Sequence, residues 1–390
     1  MDRKYVTDAL MALVRLELGD GVLSEESRAL VCEILARGGA DELFALAARH
    51  DVSAVVTSAL VHGGFLTHKS EEYLSRVDAE ELAFLRAKRM DHAISDICTV
   101  LSDAEIRHTP LKGAVMRPLY PSPVMRMSAD IDVLVSESSL DAAIDALSSS
   151  LGYKPEGGRG FHDVSLYSPD GIHLELHYNL KENEPTLDGV LALAEEYITS
   201  SETYTASLTP EFFVFHLFAH LTYHFMNGGC GIKPFTDLYI YKKKHTINEE
   251  LLSSLIDGAG LATFYKNVCD LISVWLEGCD HTDFTRNMES HVIHNSYGDG
   301  VSRSIVRRQG RVGKRRYIMG RIFMPYSQLK IRYPVVGRHP ILLPVFEVVR
   351  WVSVIFKSNK SIRRELSDTL SVSDAQARAM TDFLASVGLE

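Results

Sequence analysis

Two aspartates alternate with aliphatic residues at one point of the chain. The segment Asp130–Val135 reads DIDVLV and is typical of a β-strand. Because successive side chains of a strand point to opposite faces, Asp130 and Asp132 share one face and the intervening aliphatic residues share the other. Two neighbouring carboxylates repel each other unless a cation neutralises them. This segment therefore predicts a strand with one apolar face and one acidic face that attracts a cation.

Short strand and helix signals surround this segment. Residues 107–111 predict an edge strand, because an edge position tolerates Pro110. Residues 137–150 begin with serine and acids and then carry regularly spaced aliphatic residues, which predicts a capped amphipathic helix. Together they predict a small α/β segment around the two aspartates.

A hairpin is expected further along. Residues 164–167 and 172–177 flank the turn sequence Ser-Pro-Asp-Gly, in which proline presets φ and glycine accepts a positive φ. In the second strand of this hairpin, His173, Glu175 and His177 fall on one face. The hairpin therefore supplies a third carboxylate on a polar strand face.

Helical periodicity dominates on both sides of these strands. We predict an α+β fold in which a small mixed, antiparallel-containing β-sheet core is flanked by helical N- and C-terminal regions. The predicted domains are a helical N-terminal region (1–106), the α/β core (107–186), a helical subdomain lining the cleft (187–300) and a basic C-terminal helical region (301–390).

The composition is that of an ordinary globular protein, with 46% hydrophobic and 24% charged residues. The five cysteines are scattered and show no CxxC spacing, which argues against a disulfide framework or a zinc knuckle. No signal peptide and no apolar run of membrane-spanning length is recognisable. We therefore expect a cytoplasmic protein without a transmembrane segment.

Basic residues are concentrated near the C-terminus. Of 41 lysines and arginines, 16 lie between Arg303 and Arg364, where Glu347 is the only acid, although the whole chain has a net charge of −10. This segregation predicts an anionic partner for residues 303–364: a nucleotide, a phosphorylated acceptor, RNA or a membrane surface. The alternative is a basic layer folded onto the protein's own acidic body.

Three carboxylates that converge can hold divalent cations. Asp130, Asp132 and Glu175 would offer the hard oxygen ligands that magnesium prefers, and two such ions clamp the attacking and leaving oxygens of a phosphoryl displacement. The alternative is a solvated strand edge without function. The geometry of these three side chains decides between the two interpretations.

Residues upstream of the aspartates favour phosphate binding. Lys112, Gly113 and Ala114 lie at a predicted strand-to-helix junction, where glycine permits close backbone approach and a helix start favours anions. The spacing is not that of a Walker A loop. Arg126 and Ser128 precede the aspartates and could contact phosphate oxygens, or they could belong to a surface turn.

These motifs occur in two longer stretches, LKGAVMRPLYPSPVMRMSADIDVLV and HLELHYNL. They resemble a family of bacterial nucleotidyltransferases in the DNA polymerase β-like superfamily. The resemblance implies that Asp130 and Asp132 bind the Mg²⁺ that accompanies an NTP, with Mn²⁺ as an alternative, and that Glu175 completes the metal site and helps to activate the acceptor hydroxyl. Lys112 and Gly113 would stand where the superfamily's glycine-serine turn holds the triphosphate, with Ala114 in place of the serine.

The implied reaction is transfer of an NMP from an NTP to an acceptor hydroxyl or phosphate, with release of pyrophosphate. The acceptor could be a small molecule, a saccharide, a peptide or RNA. Two other interpretations remain open at this point. One is a catalytically inactive module that binds a nucleotide or a phosphorylated ligand, which Ala114 motivates, and the other is an RNA-directed, toxin-like nucleotidyltransferase.

Histidines recur every four residues at His216, His220 and His224. Such spacing places them on one helix face, where zinc binding is conceivable, but HExxH is absent and the surrounding residues are apolar. We favour buried or cleft-lining histidines. The family resemblance suggests that the cleft is lined by His220, His224, Lys233 and Asp237. His177 would orient Glu175 or contact substrate, unless it is an exposed strand residue.

Overall fold

A computed structural model describes residues 3–199, 203–294, 326, 335, 339–346, 348–349 and 374–389. The chain divides into two compact units. The first comprises residues 1–225 and 230–296, and the second comprises 226–229 and 297–390. Most of the basic segment 303–364 lies outside the described residues, so its predicted anionic partner remains a prediction.

The N-terminal part of the first unit is helical, as predicted. It contains α1 (Arg3–Leu18), α2 (Glu25–Ala36), α3 (Ala40–Arg49), α4 (Ser53–His62) and the long α5 (Glu71–Asp103). The Ser24 side chain accepts a hydrogen bond from the Ser27 backbone N–H and so caps α2. Helix α1 packs against α3 and α4, and its Leu10 and Leu13 side chains are fully buried.

A five-stranded mixed sheet follows. Its strands are β1 (His108–Pro110), β2 (Asp130–Val135), β3 (Lys154–Pro155), β4 (Asp163–Tyr167) and β5 (His173–His177). They are ordered β1-β2-β5-β4-β3, and only β2 and β5 pair in parallel. Both the α+β fold class and the position of β1 at a sheet edge are confirmed.

Two helices lie within this strand region. The short α6 (Lys112–Met116) follows β1, and α7 (Leu140–Leu151) follows β2, close to the predicted boundaries. Strands β4 and β5 form the expected hairpin, with Gly171 at φ +78° in the connecting turn. Glycine suits that position because it has no Cβ to clash in the left-handed region.

One face of the sheet is apolar and packs against α5 and α7. The aliphatic side chains of β2, β4 and β5 and the facing side chains of the two helices form one buried cluster. Its central members are Ile131, Val133, Val164, Leu166, Leu174, Leu176, Ile97, Leu101, Leu140 and Leu147. Because the residue alternation of a strand is strict, this burial forces the acids of β2 and β5 onto the opposite face.

The chain after the sheet is helical again. It contains α8 (Pro185–Leu191), α9 (Pro210–Met226), α10 (Lys233–Lys244), α11 (Glu249–Gly258), α12 (Ala262–Glu277) and α13 (Asp283–His294). In the second unit, α14 spans Asp374–Ser386. All five cysteines are free thiols. Within the described ranges, no helix is long and apolar enough to cross a membrane.

Candidate active site

The acids of β2 and β5 gather on the polar face of the sheet. In the parallel pairing, Asp132 lies beside Glu175 and Asp130 lies beside His173. One ligand atom from each of Asp130, His173 and Glu175 lies within 4.8 Å of the others, and the same holds for Asp132, Glu175 and His177. The three carboxylates singled out from the sequence therefore lie on one face of the sheet, in two groups that share Glu175, and each group adds one imidazole.

Asp132 is the most enclosed of the three acids, with 3% of its surface exposed. Its Oδ1 accepts hydrogen bonds from Lys112 Nζ at 2.9 Å and from His177 Nε2 at 3.0 Å. Burial alone would raise the pKa of Asp132, but Lys112 and His177 hold that pKa well below its usual value. Asp132 is therefore a permanent anion at neutral pH.

Glu175 has the opposite electrostatic character. Burial, followed by repulsion from Asp132 and then from Asp130, raises the pKa of Glu175 to about 7. Its Oε2 lies 3.7 Å from His177 Nε2. A carboxyl group whose pKa is raised by neighbouring carboxylates marks a place where negative charge has accumulated and where a cation would be stabilised.

The donor atoms suit a divalent cation. Carboxylate oxygens are the ligands that Mg²⁺ and Mn²⁺ prefer, and Mn²⁺ also accepts imidazole nitrogen. His177 donates from Nε2 to Asp132, while His177 Nδ1 and His173 Nε2 are buried and have no hydrogen-bond partner among the described residues. The sequence interpretation did not include His173 in the site. Its alternation with Glu175 and His177 was the available signal.

Lys112 and Gly113 lie directly beside the acids, where α6 begins. Lys112 has φ +37°, a left-handed conformation that is unusual for a residue with a side chain. A Cβ added to Gly113 would come within 2.8 Å of Ser128 Oγ, so only glycine fits without a shift. The backbone N–H of Ala114 donates to the Leu111 carbonyl at 3.1 Å.

A sequence model of a family described as an uncharacterised nucleotidyltransferase matches residues 37–277. The chain belongs to this nucleotidyltransferase family. The match covers most of the chain and contains every site residue described above. Nucleotidyl transfer is therefore supported as the general class of reaction. No curated protein matches the chain.

Arg126 and Ser128 hold the segment that leads into β2. Arg126 is buried, and its Nε donates to both carboxylate oxygens of Asp237 at 2.7 and 2.9 Å. The Tyr120 hydroxyl donates to the same carboxylate at 2.7 Å. Ser128 Oγ accepts from Arg117 Nη2 at 3.0 Å and donates to the Asp130 carbonyl at 2.9 Å.

Lys233 joins the same support. Its Nζ donates to the Met127 carbonyl at 3.1 Å and to Asp51 Oδ2 at 3.0 Å. Lys233 and Asp237 of α10 therefore fix the segment that contains Arg126 and Met127, just before Asp130 and Asp132. Sequence reasoning missed Tyr120 and Asp51 in this network, because their contacts join positions far apart in the chain.

The histidines of α9 form a separate polar row. His220 Nδ1 donates to Glu182 Oε1 at 2.9 Å, and the Nε2 atoms of His220 and His224 are 3.1 Å apart. Burial, and then the positive charge of Lys112, lowers the pKa of His216 to about 3, and burial with His220 lowers that of His224 to about 3. These imidazoles are neutral at pH 7. Among the described residues, none of these three histidines belongs to a group of three side chains that could hold a metal ion.

The charge of Lys112 acts on all three of these histidines, and that of Asp132 acts on His220. Glu182, which orients His220, is a buried site residue that the sequence did not reveal.

Proposed function

We propose that this protein is a Mg²⁺-dependent nucleotidyltransferase, with Mn²⁺ as an alternative metal, that transfers an NMP from an NTP to an acceptor hydroxyl or phosphate and releases pyrophosphate. The observation that carries the proposal is that Asp130, Asp132 and Glu175 share one face of paired strands, in two neighbouring groups of possible metal ligands joined by Glu175. Membership of a nucleotidyltransferase family supports the same reaction. Neighbouring carboxylates repel one another and destabilise the fold unless a cation neutralises them.

In this proposal Asp130 and Asp132 hold the metal, and Glu175 completes its site. When bound, a divalent ion neutralises the phosphate charge and helps to orient the reacting oxygens. Glu175 would also accept a hydrogen bond from the acceptor hydroxyl and help to activate it, the role that the family resemblance implies. His177, through its hydrogen bond to Asp132, keeps that carboxylate in its orientation.

The phosphates of the nucleotide would lie at the start of α6, beside Lys112, Gly113 and Ala114. Ser128 supports this position from below, because its hydroxyl packs against Gly113 and holds the Asp130 carbonyl. Arg126, given its buried pairing with Asp237, acts as a positioning residue rather than as a phosphate ligand. In this proposal His220 and His224 would contact the acceptor.

The direct test is pyrophosphate release with each of the four NTPs and Mg²⁺, with saccharides, peptides and RNA offered as acceptors. Asp132→Ala should lose at least about 99% of the wild-type rate, since the buried metal ligand is removed. Asp141→Ala is the matched control, because Asp141 is exposed on α7 and pairs with the exposed Arg159. Equal pyrophosphate release by the wild type and by Asp132→Ala would contradict the proposal that this site catalyses nucleotidyl transfer.

A second candidate is a nucleotide-binding module without turnover. The observation that favours it is that the Ala114 side chain carries no hydroxyl where the resemblance calls for one, although the backbone turn is formed. Binding of an NTP analogue that depends on Asp132, with no pyrophosphate from any NTP or acceptor, would support this reading. An RNA-directed enzyme remains a proposal that depends on the segment 303–364, and salt-insensitive RNA binding would oppose it.

A further inference from the structure

Lys112 sits where a cation would be expected. Its Nζ lies 2.9 Å from Asp132 Oδ1, and its side chain is only 14% exposed. The same oxygen also accepts from His177 Nε2 at 3.0 Å. A carboxylate oxygen has two in-plane lone pairs, so these two donors already use both of them. A metal ion that binds Oδ1 has to replace one of the donors, and a metal ion that binds the other oxygen shares the carboxylate with the ammonium.

The backbone holds Lys112 in this place. The Leu111 N–H donates to the Asp132 carbonyl at 3.0 Å, which fixes the start of α6 against β2. The φ of +37° at Lys112 is a costly conformation for a residue with a Cβ. The ammonium, in contrast, stands at the end of four methylene groups and can rotate away while the backbone stays in place.

Other negative charge surrounds the ammonium. Glu182 and Glu175 both act on Lys112 in addition to Asp132. An ammonium ion and a divalent cation on the same carboxylate would repel each other strongly in so enclosed a place. Each cation therefore weakens binding of the other, and new negative charge, such as a triphosphate, would stabilise an ammonium that leaves Asp132.

We propose that Lys112 and the divalent cation compete for Asp132, and that Lys112 yields the carboxylate and turns to a phosphate oxygen when metal and nucleotide bind together. This inference rests on the proposed function and adds an exchange to it. Lys112 thereby weakens binding of the metal alone and strengthens binding of the nucleotide with metal. The site would then favour the metal–nucleotide complex over the free metal ion.

The test compares Mn²⁺ binding by the full-length wild type and Lys112→Met, measured by electron paramagnetic resonance at pH 8 and low salt. Lys112→Met should bind Mn²⁺ alone at least about tenfold more tightly, because the competing charge is gone. Lys112→Arg keeps the charge and should bind Mn²⁺ alone as weakly as the wild type. Lys242→Met is the matched control, because Lys242 is a partly buried lysine of α10 that contacts Glu249 and Tyr265.

The second measurement adds a non-hydrolysable NTP analogue. Lys112→Met should bind the analogue with Mn²⁺ about tenfold more weakly than the wild type, because the ammonium no longer meets a phosphate. The analogue should also increase Mn²⁺ affinity more in the wild type than in the variant. The exchange therefore predicts that Lys112→Met binds Mn²⁺ alone more tightly and the analogue with Mn²⁺ more weakly than the wild type does. General damage to the site would weaken both.

Lys112→Gln provides a second uncharged variant if thermal melting shows that Lys112→Met is misfolded. Mn²⁺ binding to the folded uncharged variants that is no tighter than to the wild type would overturn the exchange and leave the proposed function intact. Absence of Mn²⁺ binding to the wild type and to all variants, with and without the analogue, would instead contradict the proposed function itself.

Discussion

The ionised side chain of Glu175 destabilises the folded protein when no cation is bound to the candidate site. Burial and the neighbouring Asp132 and Asp130 raise the pKa of Glu175 to about 7, so its ionised form is less stable in the folded protein than in the unfolded chain. The penalty is present above pH 7 and vanishes as pH falls towards the ordinary carboxyl pKa, where the group is protonated in both states. A cation removes the penalty by neutralising the cluster.

Glu175→Gln should therefore stabilise the protein in the presence of EDTA at pH 8, by about 1–2 kcal/mol once solvent screening is taken into account. The gain should shrink at pH 5. Urea unfolding at the two pH values measures it. Glu196→Gln, an exposed substitution, is the control and should change little. A variant less stable than the wild type at pH 8 would show that Glu175 is not under electrostatic strain.

The same group makes cation binding depend on pH. Because a metal ligand must be ionised, Mn²⁺ has to displace the Glu175 proton below pH 7. The apparent affinity should fall by up to about tenfold per pH unit between pH 7 and 5.5 and level off above pH 7.5. Isothermal titration calorimetry in buffers of different ionisation enthalpy would count the proton released. Affinity independent of pH over this range would exclude Glu175 as a ligand.

Strand alternation explains how much of the element scale the sequence could predict. The pattern of β2 and of the 164–177 hairpin predicted which side chains share a face, and the structure confirms it. The parallel pairing of β2 with β5 was not predictable, because it joins segments about 40 residues apart and depends on tertiary packing. The contacts of Lys112 with Asp132 and of Arg126 with Asp237 could not be predicted from the sequence for the same reason.

The buried pair of Arg126 and Asp237 ties α10 to the segment before β2. Asp237→Ala leaves the Arg126 charge buried without its carboxylate, and should cost about 3–5 kcal/mol of stability. Replacing both residues by apolar ones, as in Arg126→Met with Asp237→Leu, should recover part of the loss. Chemical denaturation measures both effects.

Asp270→Ala is the matched control for that prediction. Asp270 pairs with Lys266 on the exposed side of α12, so its loss should cost no more than about 0.5 kcal/mol. If Asp237→Ala were as mild as this control, the pair could not be what holds the aspartate-bearing segment in place.

At the scale of the whole molecule, buried histidines make the fold sensitive to acid. Burial lowers the pKa of His50 and of His291 to about 4, against an ordinary value of 6.5. Since the unfolded chain binds these protons and the folded protein does not, stability is fully present above pH 6.5 and is lost as pH falls towards 4. Each such histidine contributes a slope of up to about 1.4 kcal/mol per pH unit.

Thermal melting between pH 8 and 4.5 should therefore show a steep decline that begins near pH 6.5. His50→Gln should flatten this decline, because one buried ionisable group is removed, while His92→Gln on the exposed surface of α5 should leave it unchanged. A melting temperature that stays constant down to pH 5 would contradict the burial of these histidines.

The convergence of Asp130, Asp132 and Glu175 is the basis of the proposed function, and an anomalous diffraction map tests it most directly. Crystals of the full chain grown with Mn²⁺ and a non-hydrolysable NTP should show an anomalous peak within about 2.5 Å of oxygens from these three carboxylates, with the triphosphate beside Lys112. A peak on the α9 histidines, or a nucleotide bound away from an empty acidic cluster, would contradict the account.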